Sequence, residues 1–369
     1  MDESVIKNVC RHYDLKGEYL SYGIIKDGNI NQTFVVDMVC DCENGKKVKS
    51  YLLQCINNYV FTEPDKLIEN IVGITKHIAS KYTNVDDAKR RTLKVYKTLD
   101  GLGYYCDEKG NFWRVLNYIY DAVTCNKADK LIMEKTGKAF GEFQALLSDY
   151  PTERMYIPII DFHNTEKRLK ALIKSAEEDK FNRLSELKDD YEYLISLEKY
   201  AHFFEDEYNK GNIPIRVTHN DTKCNNIMFD AHTMEPLAVI DLDTVMPGFA
   251  AHDFGDAVRF GASTVDEDEE DLSKVELDME LYEAFCKGYV SQVKSYLTPY
   301  EVKTLPLGAI AITYELSMRF MTDYLDGDKY FITRKKRHNY FRARCQTKLL
   351  KDIIAKKSEM ERVIDKING

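Results

Sequence analysis

The chain has no apolar run long enough to cross a bilayer. Its greasiest stretch, around Leu305 to Ile312, falls well short of the roughly 20 residues a spanning helix needs. The opening residues, MDESVIKNVCRHYDL, contain no apolar signal core, so a cytoplasmic protein without a membrane partner is the expectation. The nine cysteines are odd in number and include no C-x-x-C pair, which matches neither a disulfide framework nor a zinc ribbon. Reduced thiols follow. Cys40 and Cys42, at alternate-strand spacing, share one face. Positive charge is short as well. The 52 Lys and Arg against 61 Asp and Glu leave a net −9, which repels phosphate backbones and argues against a nucleic-acid partner.

What is present is an ordinary soluble composition, 44% hydrophobic and 31% charged, in 369 residues, enough for two lobes with a sizeable core. The informative stretch runs from Thr218 to Asp243. In it His219, Asp221, Lys223 and Asn226 have the H-x-D-x-K-x-x-N spacing of a kinase catalytic loop, where Asp accepts a substrate hydroxyl proton and Asn holds a metal ion. The context is a β-hairpin: Ile227 to Asp230 and Leu237 to Ile240 are short apolar runs separated by a polar segment ending in Pro236. A hairpin symmetric about Thr233/Met234 puts Asn226 opposite Asp241, and Asp243 adds a third oxygen group. Such a set suits Mg2+, which also takes phosphate oxygens. The plainer reading is that these residues only bound a turn.

The blocks HNDTKCNN, VIDLDTVMPG and HDFGDAVRFGAS resemble the aminoglycoside phosphotransferase and choline kinase superfamily, and within it most closely the N-acetylhexosamine 1-kinases. The likeness extends from the DGNIN turn to YLDGDKYF. It implies an α+β, bilobal kinase-like fold with a small antiparallel-sheet N-lobe, residues 1–120, and a larger, mainly helical C-lobe, residues 121–369. It also implies an ATP- and Mg2+-dependent kinase acting on the anomeric hydroxyl of GlcNAc or GalNAc, as a monomer or weak homodimer. Asp221 and Lys223 are then catalytic, and Asn226, Asp241 and Asp243 hold the metal. His219 props the loop.

Other residues take roles from their place in the chain and from that likeness. Asp27-Gly28 favours a tight turn between strands, and the hairpin DGNINQT, with one glycine rather than three, covers the nucleotide through Gly28 and Asn31. The strand Tyr51 to Ile56 carries Gln54 where kinases generally place a phosphate-pairing lysine, a departure shared by the hexosamine kinases, and it leaves the phosphates without an evident cation. Glu63-Pro64 opens a helix through Ala79, with strands at Lys94 to Leu99 and Phe112 to Tyr118. Tyr118 stands on the lobe connector, at the adenine. Helices follow at Lys127 to Leu147, Thr165 to Lys180 and Asp189 to Tyr208, with His163 in a loop as a structural histidine.

Asp253-Phe254-Gly255 spells a kinase metal motif but lacks the apolar strand that leads into Asp241, so Asp253 is expected to cap a helix running through Phe260, with Asp256 bracing nearby loops. The six carboxylates from Asp266 to Asp271 form a solvated loop, or the wall of a cleft for a cationic substrate. Arg319 and Tyr330, in LSMRFMTDYLDGDKYF, line the sugar pocket by resemblance, as does Asn29, where the kinases compared carry histidine. The alternative for Arg319 is an ion-pair ladder with Glu315 and Asp323 at helical spacing. An aminoglycoside or other amine kinase, or a non-catalytic ATP-binding module, are the competing functions.

Overall fold

The computed structural model describes residues 2–25, 30–42 and 45–369. The turn residues Asp27, Gly28 and Asn44, and the sugar candidate Asn29, lie outside them. After α1 (Glu3–Cys10) come β1 (Glu18–Ile25), β2 (Gln32–Cys42), β3 (Gly45–Cys55), α2 (Pro64–Lys81), α3 (Val85–Arg91), β4 (Val95–Tyr96), β5 (Tyr105–Cys106), β6 (Phe112–Asn117) and β7 (Ala122–Val123). Helices α4 (Lys130–Leu146), α5 (Thr165–Glu178), α6 (Lys188–Ser196) and α7 (Lys199–Asn209) lead to β8 (Arg216–Thr218), β9 (Ile227–Asp230), β10 (Pro236–Val239) and β11 (Met246–Gly248). The chain ends in α8 (Ala250–Gly261), α9 (Met279–Val293), α10 (Pro299–Leu325) and α11 (His338–Asn368).

The N-terminal sheet is antiparallel, in the order β1-β2-β3-β6-β4 with β5 on β6. Alternation along its strands decides its two faces. Phe34, Val36, Met38, Tyr51, Leu53, Trp113 and Val115 point to one side, where Ile6 and Val9 of α1 cover them. Leu116 joins the other core with Leu67, Ile68, Ile71, Ile74 and Ile78 of α2, at helical spacing. Pro64 occupies the first turn of α2, where its missing N–H has no partner to lose. That second core continues into Phe143, Val217, Ala238, Leu242 and Val245, so α2 seats the sheet on the segment carrying the catalytic-type loop.

The larger core is helical. Helices α8 and α10 meet backbone to backbone: a Cβ on Gly255 would lie 2.2 Å from the Gly308 carbonyl oxygen, and one on Gly308 1.8 Å from that of Ala251. Only glycine admits such contact.

Several boundaries differ from expectation. The strand at 94–99 shortens to β4, and the segment between it and β6 contains β5. The stretch 189–208 divides into α6 and α7 at Leu197. Neither glycine nor proline marks that break, so the helical pattern runs through it. The β9/β10 hairpin closes one residue off the symmetric register. Val239 faces Ile227, with a bulge between Pro236 and Ala238, and the Ile240 N–H donates to the Asn226 carbonyl at 2.9 Å. Asn226 therefore lies opposite Ile240 rather than Asp241. Asp241 itself adopts the left-handed region, φ 58°, a conformation that costs a non-glycine residue roughly 1–3 kcal/mol and clusters at functional sites.

Candidate active site

The catalytic-type loop leaves β8 with backbone groups that no strand can satisfy, and α8 satisfies them. Asp253 accepts the N–H groups of His219 and Asn220, each at 2.8 Å, and the Gln144 amide at 2.8 Å. Asp256 accepts the Thr222 N–H at 2.9 Å, and the Thr222 hydroxyl donates to the Asp253 carbonyl at 2.6 Å. Asp253 is therefore no cap. Helix α8 begins at Phe249 without a capping side chain, and Asp253, a turn further in, faces the loop. Burial raises the Asp253 pKa, against the bonds from the two backbone N–H groups. Asp256 braces the loop as expected and pairs with buried Arg259 at 2.9 Å.

His219 stands beneath the loop. Its Nε2 lies 2.9 Å from the Ile240 carbonyl and its Nδ1 3.3 Å from the Asp221 N–H, so Nε2 carries the proton and Nδ1 accepts. Both ring nitrogens serve as props. The Asn226 amide donates to the Asp221 carbonyl at 2.8 Å and to its carboxylate at 3.0 Å, while Lys223 reaches the other carboxylate oxygen at 2.7 Å. Burial raises the Asp221 pKa, but Lys223 outweighs it and holds the carboxyl below its usual value. Burial likewise lowers the Lys223 pKa, and Asp221 and Asp256 more than reverse that.

Asp241 behaves differently. Enclosure between the lobes comes first among the causes that push its carboxyl up to about 6, followed by the Asp243 and Asp221 carboxylates. Because the side chain stays open to solvent, its removal from water is partial, and the neighbouring negative charges are the firmer cause. Asp243 is 2% exposed, and its two oxygens meet the guanidinium of Arg114, one at 3.0 Å, with Asn31 donating at 2.5 Å. Arg114 Nε donates to Gln54 at 2.8 Å, and Gln54 donates to Thr33 at 3.1 Å. Sheet and loop are thus joined by one polar network.

A magnesium ion is implied by the family resemblance. Among the described residues no group of three His, Cys, Asp or Glu side chains is disposed to hold a metal ion. The donors present nevertheless fit Mg2+: an exposed carboxylate raised by its like-charged neighbours at Asp241, and at Asn226 an amide oxygen left over because the nitrogen serves Asp221. A hard cation that completes its shell from phosphate and water asks for no more.

The far wall was less legible. His163, expected as a structural loop histidine, touches Glu315 through Nδ1 at 3.3 Å and the Asn220 carbonyl through Nε2 at 3.3 Å. Burial lowers its pKa, but the Glu315 carboxylate prevails and raises it; beside it His252 is pushed down to about 3, by burial first and then by His163. Arg319 pairs with Glu315 at 3.6 Å, among the rings of Phe162, Tyr330 and Phe331 at 5.4 to 5.8 Å. Asp323 is not a rung of that ladder. It accepts the N–H groups of Lys329, Tyr330 and Phe331 at 2.8 to 2.9 Å, holding up the loop on which Tyr330 stands 70% exposed. The acidic loop is engaged too: Glu267 pairs with Arg259 at 3.0 Å, Asp268 with His338 at 3.0 Å and Glu270 with Lys335 at 2.9 Å. Tyr118 lies exposed on the connector, edge-on to Tyr120.

An antiparallel sheet seated over a helical lobe, with this loop at their junction, is the kinase-like α+β fold. The model of the Phosphotransferase enzyme family (APH) matches residues 94–292, more than half of the chain, and the chain belongs to that family. Solved structures share the architecture at low identity. An aminopropanol kinase associated with a microcompartment is 14% identical, with a TM-score of 0.61, over 96% of this chain and 98% of that one. An aminoglycoside phosphotransferase from Alicyclobacillus acidocaldarius is 13% identical, TM-score 0.60, over 97% and 96%. A spectinomycin phosphotransferase in complex with ADP and spectinomycin is 11% identical, TM-score 0.57, over 97% and 99%.

Proposed function

We propose that the chain is an ATP-dependent kinase that phosphorylates the anomeric hydroxyl of an N-acetylhexosamine, GlcNAc or GalNAc, to give the 1-phosphate and ADP. The observation that carries this reading is the position of Arg319. Glu315 and His163 link it to the Asn220 carbonyl, next to Asp221, and Phe162, Tyr330 and Phe331 surround it. A guanidinium fork among aromatic faces suits hydroxyls and an acetamido carbonyl, and it repels a polycation.

Asp221, kept ionised by Lys223, takes the proton from the anomeric hydroxyl as that oxygen bonds to the γ-phosphorus. The bond from the γ-phosphorus to the bridging oxygen breaks, and ADP leaves with its electron pair. Lys223 neutralises charge on the phosphoryl group in flight. Asn226 and Asp241 would hold Mg2+, which would supply charge neutralisation on the phosphates; Asp243, expected beside them, is instead paired with Arg114. Asn31, just before β2, Gln54 on β3 and Tyr118 on the connector are assigned to the nucleotide; Gly28, assigned with them from the sequence, lies outside the described residues.

A second reading, an amine substrate, is favoured by the names of similar structures, an aminopropanol kinase and a spectinomycin phosphotransferase. Against it, Glu267, Asp268 and Glu270 of the acidic loop, which would attract an amine, are already paired with Arg259 and Lys335. Incubating the protein with Mg2+, ATP and a panel of free sugars and amino alcohols, with products followed by phosphorus NMR, tests both. An anomeric phosphate on an N-acetylhexosamine supports the proposal. Turnover of amino alcohols alone replaces it.

A further inference from the structure

We infer that Arg114 supplies the positive charge that faces the nucleotide phosphates, in place of a lysine on β3, and that Asp243 holds it there until nucleotide arrives. Strand β3 carries Gln54 where kinases generally carry that lysine, and Arg114 on β6 is the residue paired with Gln54 across the sheet. The Nε–H of Arg114 donates to Gln54 at 2.8 Å, so the guanidinium is anchored on the very position the lysine would occupy. Its two terminal nitrogens face Asp243, two residues beyond Asp241.

Both partners are 2% exposed. Burying such a pair costs about as much in lost hydration as its attraction returns, so the carboxylate can be exchanged for another anion that meets the same fork at small net cost. The guanidinium fork matches carboxylate and phosphate alike. On exchange, Arg114 turns to the phosphates, and Asp243 is released to stand with Asp241 toward a cation. Asn31, which donates to Asp243 at 2.5 Å and accepts the Asn57 N–H at 3.0 Å, ties the same event to the start of β2 and the residues after β3. Asn31, the metal-side carboxylates and Arg114 thereby change partners together.

This inference rests on the nucleotide half of the proposed function and not on the identity of the acceptor. It is tested by calorimetric binding of ADP with Mg2+, and of adenosine, without acceptor. Arg114→Gln is expected to weaken ADP binding about 10-fold or more and to leave adenosine unchanged. The double variant Gln54→Lys/Arg114→Gln, which moves the charge across the strand pair, is expected to regain most of the ADP affinity. If Arg114→Gln does not fold, the double variant alone decides: ADP affinity near the parent's supports the exchange, and its loss overturns it. Equal weakening of ADP and adenosine, or none at all, also overturns it. A parent protein that binds neither ligand overturns the nucleotide reading itself, a pattern distinct from the failure of Arg114.

Discussion

On the floor of the cleft, Asp253 and Asp256 commit their carboxylates to backbone N–H groups of residues 219, 220 and 222, whereas along the wall His163, Glu315 and Arg319 bond to one another through side chains. A backbone donor is fixed in place by the chain, so the floor has one arrangement. Side-chain partners depend on their own torsions as well, so the wall keeps more degrees of freedom. Phosphoryl transfer needs atoms held in line, and recognition of a polyol tolerates adjustment. The comparison predicts that floor substitutions damage rate or folding, and wall substitutions damage affinity.

The largest effect is expected at Asp221, on the loop that the floor braces, which the proposed function makes the general base. Asp221→Asn should lower kcat by about 10²- to 10⁴-fold, the usual share of a positioned general base, with ATP affinity unchanged. A folded variant with normal turnover in steady-state assays would remove Asp221 from that role. Next comes Asp253→Ala, which strands two buried N–H groups; at roughly 1–3 kcal/mol per unsatisfied group the loss is about 3 kcal/mol, well beyond a lost helix cap. Denaturant titration measures it, and a loss under 1 kcal/mol would contradict the brace.

On the wall, Arg319→Ala should raise the sugar KM or lower kcat/KM about 10-fold, equivalent to ~1.4 kcal/mol, while the KM for ATP stays put. A variant that handles sugar normally and only melts earlier makes the wall structural, and the contrast with the floor collapses. The smallest effect concerns Asp241. Its folded pKa of about 6 stands above the ordinary carboxylate value, so the folded state favours the proton. The associated stability is complete below pH 4 and is lost as pH rises through about 6. Asp241→Asn should therefore stabilise the protein at pH 7.5 when magnesium is withheld, and not at pH 4. Solvent screening of this exposed group limits the gain to about 1 kcal/mol. Thermal melts at the two pH values check it.

How much could be read beforehand follows the same division. The loop from His219 to Asn226 is contiguous, so its residues could be grouped from spacing alone, and β9, β10 and α2 announced themselves by periodicity and proline. The wall comes from residues 162, 163, 315, 319 and 330, on separate elements, and their proximity exists only in the folded chain. Arg114 was missed because a charged residue in a strand of apolar neighbours looks like an outward-facing side chain. The one-residue register difference at Asn226 arises because the turn closes on Asp230 and Glu235, off the expected midpoint, and the bulge after Pro236 recovers only part of that offset.

The letters Asp253-Phe254-Gly255 acquire a different grammar in this molecule. Asp253 collects the loop amides, Phe254 is fully buried in the helical core, and Gly255 admits α10 to within touch of α8. Floor and wall ride on those two helices, so the contact at Gly255 and Gly308 acts as a calliper locked at one setting. Under the proposed function, an acceptor of different girth would meet that fixed separation of the helices, and the room for it would have to be made at the jaw's free end, the loop that Asp323 holds up beneath Tyr330.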